Sequence, residues 1–344
     1  LIQQLSQELK LRPAQVEAAV RLLDEGNTIP FIARYRKEMT DSLDDAALRD
    51  LSDRLEYLRN LQKRREEVIR SITEQEKLTP ELETAIQAAA TLAEVEDLYR
   101  PYKPKRRTRG SIAREKGLEP LAAAIRVQNT LREPLSMAAE YVNPEKGVET
   151  AEDALSGAMD IIAEDISDDG EIRKALRLLI HRAAVVTATG DSTENTTYKM
   201  YYDFKEPVGR IAPHRVLAIN RGEKEGFLKT AIVLEEEKAL ETIRRKTVTA
   251  NNACGRAVME AAADSWKRLI APSMENETFR ELFENASEQA IRVFAENLHH
   301  LLMQPPLTGR VVLGWDPAFR TGCKLAVVDA TGKVLDTTVV YPTA

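Results

Sequence analysis

Hydrophobic residues recur at helical spacing over most of the chain. The longest stripe is made of leucines followed by β-branched residues, at Leu48, Leu51, Leu55, Leu58, Val68, Ile69 and Ile72. Because positions three and four apart lie on one face of a helix, this stripe predicts a long amphipathic helix. We expect it to begin at an N-cap on Ser42 and to end near Glu76.

Shorter stripes predict further helices over residues 118–127, 151–166, 171–186 and 277–303. Thr79, Thr91 and Thr150 precede helical patterns in the manner of N-caps. The last predicted helix should bury a set of large apolar residues, namely Phe279, Leu282, Phe283, Ile291, Phe294 and Leu298. Two short helices near Leu5 and Pro13 suggest helix-turn-helix-like packing, which is commonly structural only.

Strand-like runs replace the helical pattern near the end of the chain. RVVLGWD, KLAVVD and VLDTTVVY are short and rich in β-branched residues, and Thr331-Gly332 between the last two suits a hairpin turn. They predict a β-meander that opens an α/β domain. We therefore predict a mainly α protein with a helical region over residues 1–190, a mixed, mainly helical connecting region over 191–307, and an incomplete α/β domain over 308–344. Within the connecting region, TTYKMYYDFKEP fits a strand or a helix equally well.

Composition describes a globular protein rather than a membrane or disordered one. The 344 residues carry a formal net charge of -6, with 30% charged and 43% hydrophobic residues. The length suggests two to three domains, and no apolar run is long enough to span a bilayer. Two cysteines without CxxC spacing indicate neither a disulfide framework nor a thiolate metal site. We expect a cytoplasmic protein without a cofactor, and both ends of the sequence suggest that it belongs to a longer chain.

One short segment is strongly basic although the chain is acidic. Within the stretch from Glu96 to Gly117, five cations fall within seven residues: Lys103, Lys105, Arg106, Arg107 and Arg109. Pro101 and Pro104 oppose regular helix there, because proline lacks a backbone donor and restricts the residue before it. We call residues 103–109 the basic segment and predict that it is a stiff, exposed loop.

Two interpretations of the basic segment stay open from the sequence. Its cations can neutralise nucleic-acid phosphates and release counterions. Alternatively, they pair with nearby carboxylates, forming a clamp between helical subdomains or a solvated surface. The candidate partners are Glu94, Glu96, Asp97 and Glu115.

A second group of cations lies among aromatic residues near the N-terminus. Arg34, Arg36 and Lys37 adjoin Phe31, Ile32 and Tyr35. Aromatic rings interleaved with cations can stack on bases and hold phosphates. The sequence favours the other interpretation, in which the three apolar side chains pack into the helical core and the cations stay at its rim.

Asp316 ends the first strand-like run and is the one catalytic candidate. An acidic residue at the end of a buried strand can bind Mg²⁺, but phosphoryl chemistry needs further carboxylates that converge on the ion. Asp329 and Asp336 are not at positions that obviously bring them to Asp316. Capping of the following turn is an equally good role for its carboxylate, so no metal site is predicted.

Four stretches, IPFIARYRKE, EDLYRPYKPKRRTRG, GLEPLA and GWDPAFRTGCKLAVVDATGKVL, resemble the Tex family of bacterial transcription accessory proteins. They occur in the family's order, and the resemblance runs through essentially the whole chain. The family is similar to the core of a eukaryotic transcription elongation factor. The resemblance implies a helical N-terminal part and an RNase H-like domain of the YqgF type. Helix-hairpin-helix and S1 domains would follow and supply much of the nucleic-acid binding.

The family's GxDPGxRTG pattern maps onto residues of the predicted meander, namely Gly314, Asp316, Pro317, Arg320, Thr321 and Gly322. Ala318 stands where the family has Gly, and Ala does not easily adopt positive φ. Nuclease activity is not what the family is known for, and this departure argues further against it.

Three hypotheses for function follow. The first is a non-enzymatic transcription accessory scaffold that binds RNA or DNA, with complexes containing RNA polymerase as expected partners and the basic segment as its best phosphate contact. The second is a Mg²⁺-dependent nuclease or resolvase that uses Asp316. The third is a protein-docking platform, with nucleic acid held by domains outside this chain.

Overall fold

The computed structural model describes residues 1–103, 107–191, 196–305, 307–318 and 320–341. The first helices of the chain are α1 (Ile2–Leu9), α2 (Pro13–Asp24), α3 (Ile29–Tyr35), α4 (Asp45–Thr73), α5 (Pro80–Ala88), α6 (Leu92–Tyr99), α7 (Arg109–Glu115), α8 (Glu119–Val127) and α9 (Pro134–Ala138). They are followed by α10 (Ala151–Asp168), α11 (Gly170–Ala183), α12 (Pro213–Lys224), α13 (Glu236–Thr247), α14 (Ala253–Asp264) and α15 (Ala271–Leu302). The strands are β1 (Val185–Gly190), β2 (Asp203–Pro207), β3 (Leu228–Val233), β4 (Val312–Asp316), β5 (Cys323–Val328) and β6 (Val334–Val340). The predicted mainly α architecture with a terminal β-meander is confirmed.

The long helix α4 begins later than its predicted N-cap at Ser42. Its N-cap is Asp44, whose side chain accepts a hydrogen bond from the backbone N–H of Ala47 at 2.8 Å. Ser42 has a φ of 63° and lies in the preceding turn, so its assignment as the N-cap was wrong. Asp and Ser are about equally good caps, and the geometry of this turn places Asp44 at the helix start.

Two apolar clusters run along α4. Its first half packs against α1, α2 and α3 around Leu5, Ile32 and Leu51. Its second half packs against α5 and α6 around Ile72 and Val95. The leucine stripe is buried as predicted, and it sets the position of α6, which leads into the basic segment.

Helix α10 is the centre of the next group of helices and packs against α7, α8, α9 and α14. It begins at Thr150, as predicted, because Thr150 and Asp153 form a capping box. The side chain of Thr150 accepts from the backbone N–H of Asp153 at 3.1 Å, and the Asp153 carboxylate accepts from the backbone N–H of Thr150 at 3.1 Å. The two carboxylates near its C-terminal end, Glu164 and Asp165, contact the helix that follows the basic segment.

Helix α11 ends at Ala183, three residues before the predicted end at Val186. Val186 instead belongs to β1, which pairs antiparallel with β2 in a sheet of order β2-β1-β3. The stretch TTYKMYYDFKEP, which fits a strand or a helix equally well by sequence, forms a 3₁₀ turn at Lys199–Tyr201 followed by β2. The pairing of β1 with β2 and β3 determines these boundaries. Helical periodicity within one segment contains no information about such pairing.

The apolar spacing of α15 predicted burial along its length, but its distal half is exposed. Ile291 is 67% exposed, Phe294 is 68% exposed, and Leu298 is also exposed. Phe279, Leu282 and Phe283 are half-buried. Apolar spacing identifies a face that favours burial, but none of the residues that the structure describes covers this part of that face.

The terminal strands form an antiparallel sheet of order β4-β5-β6. Asp316 lies opposite Lys324 in the β4–β5 register. Asp329 closes the β5–β6 turn by accepting from the backbone N–H groups of Thr331 and Lys333 at 2.8 and 3.0 Å. The predicted hairpin turn is therefore present.

The chain divides into two compact units. The first contains Leu1–Thr189, Asp203–Arg210 and Thr230–Thr278, and the second contains the remainder of the chain. The described part of the basic segment and its anchoring helices belong to the first unit. Among the described residues, no helix combines the length and the apolar character that a membrane crossing requires.

Candidate nucleic-acid interface

The basic segment is held at its N-terminal side by α4 and α6. A 3₁₀ turn at Arg100–Tyr102 continues α6. The amide of Gln75 donates to the backbone carbonyl of Tyr102 at 2.9 Å, and the hydroxyls of Ser71 and Tyr99 lie 3.0 Å apart. The polypeptide therefore enters the basic segment from a fixed position.

Its C-terminal side is held by α10. The backbone N–H of Gly110, at the start of α7, donates to Glu164 at 3.0 Å. Arg114 donates to Glu164 at 3.4 Å and to Asp165 at 2.6 Å. A Cβ atom on residue 110 would lie 2.5 Å from the Glu164 carboxyl group, so this close approach requires glycine.

The N-cap of α7 completes this anchor. The side chain of Thr108 accepts from the backbone N–H of Ser111 at 3.1 Å, and the Ser111 hydroxyl accepts from the backbone N–H of Thr108 at 2.8 Å. Capping satisfies donors that a helix start would leave unpaired. Both described ends of the segment are thus fixed by hydrogen bonds.

Three of the five predicted contact residues are described, and all three are exposed: Lys103, Arg107 and Arg109. Lys105 and Arg106 lie outside the described residues. Arg107 pairs with Glu115 at 3.5 Å, with side chains 73% and 63% exposed, so water competes strongly for this pair. Among the described residues, Lys103 and Arg109 have no side-chain hydrogen bond or ion pair.

The positive charge of Arg109 acts on the nearby carboxyl group of Asp160. Burial raises the pKa of Asp160, while the positive charges of Arg268 and Arg109 oppose that rise. Both Arg109 and Asp160 line a polar cavity of about 480 Å³. Arg109 thus lies near an acidic group without forming a direct ion pair with it.

Three of the four carboxylates considered as partners for the basic segment are engaged elsewhere. Lys174 pairs with Glu94 at 3.8 Å, and Arg64 pairs with Glu96 at 2.6 Å. Asp97 accepts two hydrogen bonds from Arg177, at 2.5 and 2.8 Å. For the described cations, the alternative of pairing with nearby carboxylates therefore holds only for Arg107 with Glu115.

Asp97 belongs to a buried charge network that sequence reasoning missed. Arg173, with 0% of its side chain exposed, donates to Ser273 at 2.9 Å and to Glu277 at 3.3 Å, and its Nε lies 3.7 Å from Asp97. Arg177 also donates to Glu277. The network joins α6, α11 and α15 within the first unit. No local pattern marks it, because its contacts between helices join residues 76 to 104 positions apart in sequence.

The pKa shifts in this network follow from burial and pairing. Burial lowers the pKa of Arg173, and the like charge of Arg100 adds to that effect. Burial alone would raise the pKa of Glu277, but its hydrogen bond and ion pair with Arg177, together with Arg173, hold it below the ordinary value. Burial likewise opposes the charge of Arg177, and its hydrogen bonds to Asp97 and Glu277 raise its pKa nonetheless.

The aromatic residues near the N-terminus do not all pack into the core as the sequence favoured. Ile32 is fully buried, Phe31 is half-buried, and Tyr35 is 65% exposed. The core prediction is therefore wrong for Tyr35. A helix as short as the seven-residue α3 has too few turns for periodicity to identify its buried face reliably.

Asp316 is exposed and stands alone. Its carboxylate makes no hydrogen bond or ion pair with a described residue, and its role as a turn cap stays a prediction, because position 319 of that turn lies outside the described residues. Asp329 is committed to the β5–β6 turn, where the side-chain hydrogen bond from Thr331 lowers its pKa. No cluster of three or more His, Cys, Asp or Glu residues among those described could hold a metal ion.

Comparison with protein families defines the class of protein. Three family models match: a Tex-like protein N-terminal domain over residues 1–73, a Tex central region-like domain over 129–294, and a Tex protein YqgF-like domain over 310–344. The chain belongs to the Tex family, as the motif resemblance implied. It is 48% identical to the uncharacterized protein YdcI of Bacillus subtilis, over all of this chain and 48% of that protein.

Two further relatives have informative names. The transcriptional accessory protein Tex of Neisseria gonorrhoeae is 40% identical over 98% of this chain and 45% of its own length. The human S1 RNA-binding domain-containing protein 1 is 31% identical over 99% of this chain and 36% of its own length. The chain thus spans about half or less of the length of these relatives.

Proposed function

We propose that this chain is part of a nucleic-acid-binding transcription accessory factor and that the basic segment contacts phosphates. Exposed cations on a segment anchored at both ends carry the proposal. Lys103 and Arg109 form no ion pair with a described side chain, and Arg107 is paired only at the surface. In a chain of net charge -6, such a concentration of accessible positive charge is suited to an anionic partner.

The names of the relatives support the broader role. One is called a transcriptional accessory protein and another an S1 RNA-binding domain-containing protein. We propose that the partner of this chain is RNA or DNA, in transcription complexes that contain RNA polymerase. The cytoplasmic location and the domain boundaries expected from the sequence stay predictions.

The salt dependence of binding tests the basic segment. We expect replacement of Arg106, Arg107 and Arg109 with Ala to weaken binding of a fluorescent oligonucleotide by the chain. Each lost phosphate contact should reduce the slope of log affinity against log salt by roughly 0.7 to 0.9. The chain offers a matched control with the same loss of charge, in which three exposed cations elsewhere, Arg49, Lys63 and Arg245, are replaced with Ala.

If the slope of log affinity against log salt changed equally in both variants, the loss of net charge alone would explain the weaker binding. An unchanged slope in the Arg106, Arg107 and Arg109 variant would make the segment a purely structural feature. Only a larger loss in that variant than in the control supports direct phosphate contact.

We also propose that the chain acts without catalysis. The proposal rests on the accessory role in the name of the relative and on the isolated position of Asp316. If Asp316 did support Mg²⁺-dependent cleavage, an Asp316→Asn variant would cleave a labelled RNA or DNA more slowly than the parent chain.

A further inference from the structure

An exposed aromatic and basic surface lies at the C-terminal end of α3. We call it the aromatic–basic patch and define it by Phe31, Arg34, Tyr35, Arg36 and Lys37. Of the nine tyrosines of the chain, Tyr35 and Tyr341 are exposed. The Tyr35 ring lies 5.3 Å from the Phe31 ring, with an angle of 47° between their planes. The Tyr35 ring thus packs against the Phe31 ring, and the rest of its surface is exposed to solvent.

The backbone beneath the patch is well fixed. Ile32 is fully buried in the cluster that α3 shares with α4. Thr40, also fully buried, donates through its hydroxyl to the carbonyl of Arg36 at 3.3 Å, and the backbone N–H of Ser42 donates to the carbonyl of Lys37 at 2.8 Å. The patch is therefore built on an ordered turn, so little ordering is required when a ligand binds.

The cations of the patch are available for an anionic ligand. Arg34, Arg36 and Lys37 are exposed and form no ion pair with any described residue. The guanidinium carbon of Arg36 lies 5.0 Å from the centre of the Phe31 ring, which orients it along the aromatic surface. Within residues 36–42, Glu38 is the one acidic residue without an ion pair to a described residue, since Asp41 pairs with Arg12, so positive charge predominates.

A cavity of about 650 Å³ adjoins this surface. It is lined by residues 34–39 together with Leu22 and Glu25. Glu25 lies 3.9 Å from Arg21, so its charge is partly compensated. The volume is within the range of pockets that hold small planar ligands. Its lining combines one aromatic ring with several cations and with the apolar side chains of Leu22 and Met39.

We propose that the aromatic–basic patch is a second contact for single-stranded nucleic acid, in which Tyr35 stacks on one base. Arg34, Arg36 and Lys37 bind the phosphates next to that base. Stacking on an aromatic ring needs no particular base, because every base has a π face. Within a duplex those faces are covered by neighbouring base pairs, so the patch selects single strands. This inference rests on the proposed function and adds to it a class of ligand.

The test compares Tyr35→Leu with Tyr35→Phe in the 344-residue chain. Leucine removes the ring and keeps an apolar side chain, whereas phenylalanine keeps the ring and removes only the hydroxyl. Affinity for a mixed-sequence single-stranded oligonucleotide, and for a duplex of the same length, is measured by fluorescence anisotropy over a range of salt concentrations. Since Tyr35 is 65% exposed, both variants should unfold at the same temperature as the parent.

We expect Tyr35→Leu to weaken single-strand binding by roughly 5- to 150-fold, the range for loss of one stacked base. Its salt slope should stay that of the parent, because no cation is lost. Tyr35→Phe should stay within about twofold of the parent, and duplex binding should be the same in all three proteins. Replacing Arg34 and Lys37 with Ala should instead reduce the salt slope by roughly one to two.

Equal single-strand affinity of Tyr35→Leu and the parent would overturn the inference, as would equal losses for single strand and duplex. Cross-linking of the unmodified chain gives an independent result. A single-stranded RNA with one 5-iodouridine should cross-link to the peptide that contains Tyr35, and cross-links found only elsewhere would also overturn it. The basic segment is tested separately by its own salt slope, so either contact can fail while the other stands. If the chain bound neither oligonucleotide at low salt, both proposals would be wrong.

Discussion

Replacing Asp97 with Asn removes one of the two carboxylates that hold the buried Arg173 and the partly buried Arg177. The Asp97 side chain is 8% exposed and accepts two hydrogen bonds from the Arg177 guanidinium, which also donates to Glu277. Asparagine has nearly the same shape, but its amide nitrogen is a donor and would face a second donor. The substitution therefore removes one hydrogen bond and one negative charge without leaving a cavity.

The expected loss is large because the charge of Arg173 stays fully buried. After the substitution, Glu277 alone would balance Arg173 and Arg177 in this network, and Arg173 is fully buried. Breaking a buried ion pair by removing one partner costs about 3 to 5 kcal/mol. The free energy of unfolding of a native protein is about 5 to 15 kcal/mol, so this loss is a substantial fraction of the stability of the first unit.

Urea unfolding, followed by circular dichroism, measures the difference. The matched control is Glu94→Gln, because Glu94 lies on the same helix and pairs with Lys174 on α11 at 3.8 Å, with side chains 37% and 59% exposed. An exposed pair contributes at most about 1 kcal/mol. If Asp97→Asn cost no more than this control, the network would not stabilise the packing of α6 on α11.

Three further outcomes are expected. Gly110→Ala should lower the free energy of unfolding by about 1 to 3 kcal/mol in urea, because its Cβ would displace the carboxyl group of Glu164; unchanged stability would contradict that contact. Glu277→Gln should be less stable than the parent at neutral pH. This difference should shrink as the pH falls below about 4.5, since a lowered pKa in the folded state stabilises only while the carboxylate is ionised; a pH-independent difference in thermal unfolding would contradict it. Asp316→Asn should leave oligonucleotide affinity unchanged, and parent and variant should show equal background rates in a Mg²⁺ cleavage assay; a rate that depended on Asp316 would establish catalysis.

Local signals predicted helix starts well where one residue had no competitor. Thr79, Thr91 and Thr150 each accept a hydrogen bond from the backbone N–H three residues later, as expected for N-caps. Ser42 was displaced by Asp44, which has the same chemistry two residues later. Caps depend on a few adjacent residues, so a sequence contains most of what determines them.

The candidate site depends on contacts that sequence periodicity does not contain. The basic segment was recognised from its composition, but its anchor on Glu164 joins residues 54 positions apart. The charge network is more distant still in sequence, and its arginines resemble ordinary surface residues of α11. The exposure of Tyr35 was not predicted, because Phe31, Ile32 and Tyr35 all have side chains that favour burial. The orientation of the short α3 decides which of these side chains reaches the core.

The network of Asp97, Arg173, Arg177 and Glu277 has a consequence for how this protein can change over evolutionary time. A single substitution leaves the remaining charges of the network unbalanced, whereas replacing the whole set with apolar residues of similar volume can be neutral or stabilising. These positions should therefore covary among members of the family, with all the charges retained together or lost together. A relative with one apolar residue here should carry compensating changes on the other two helices.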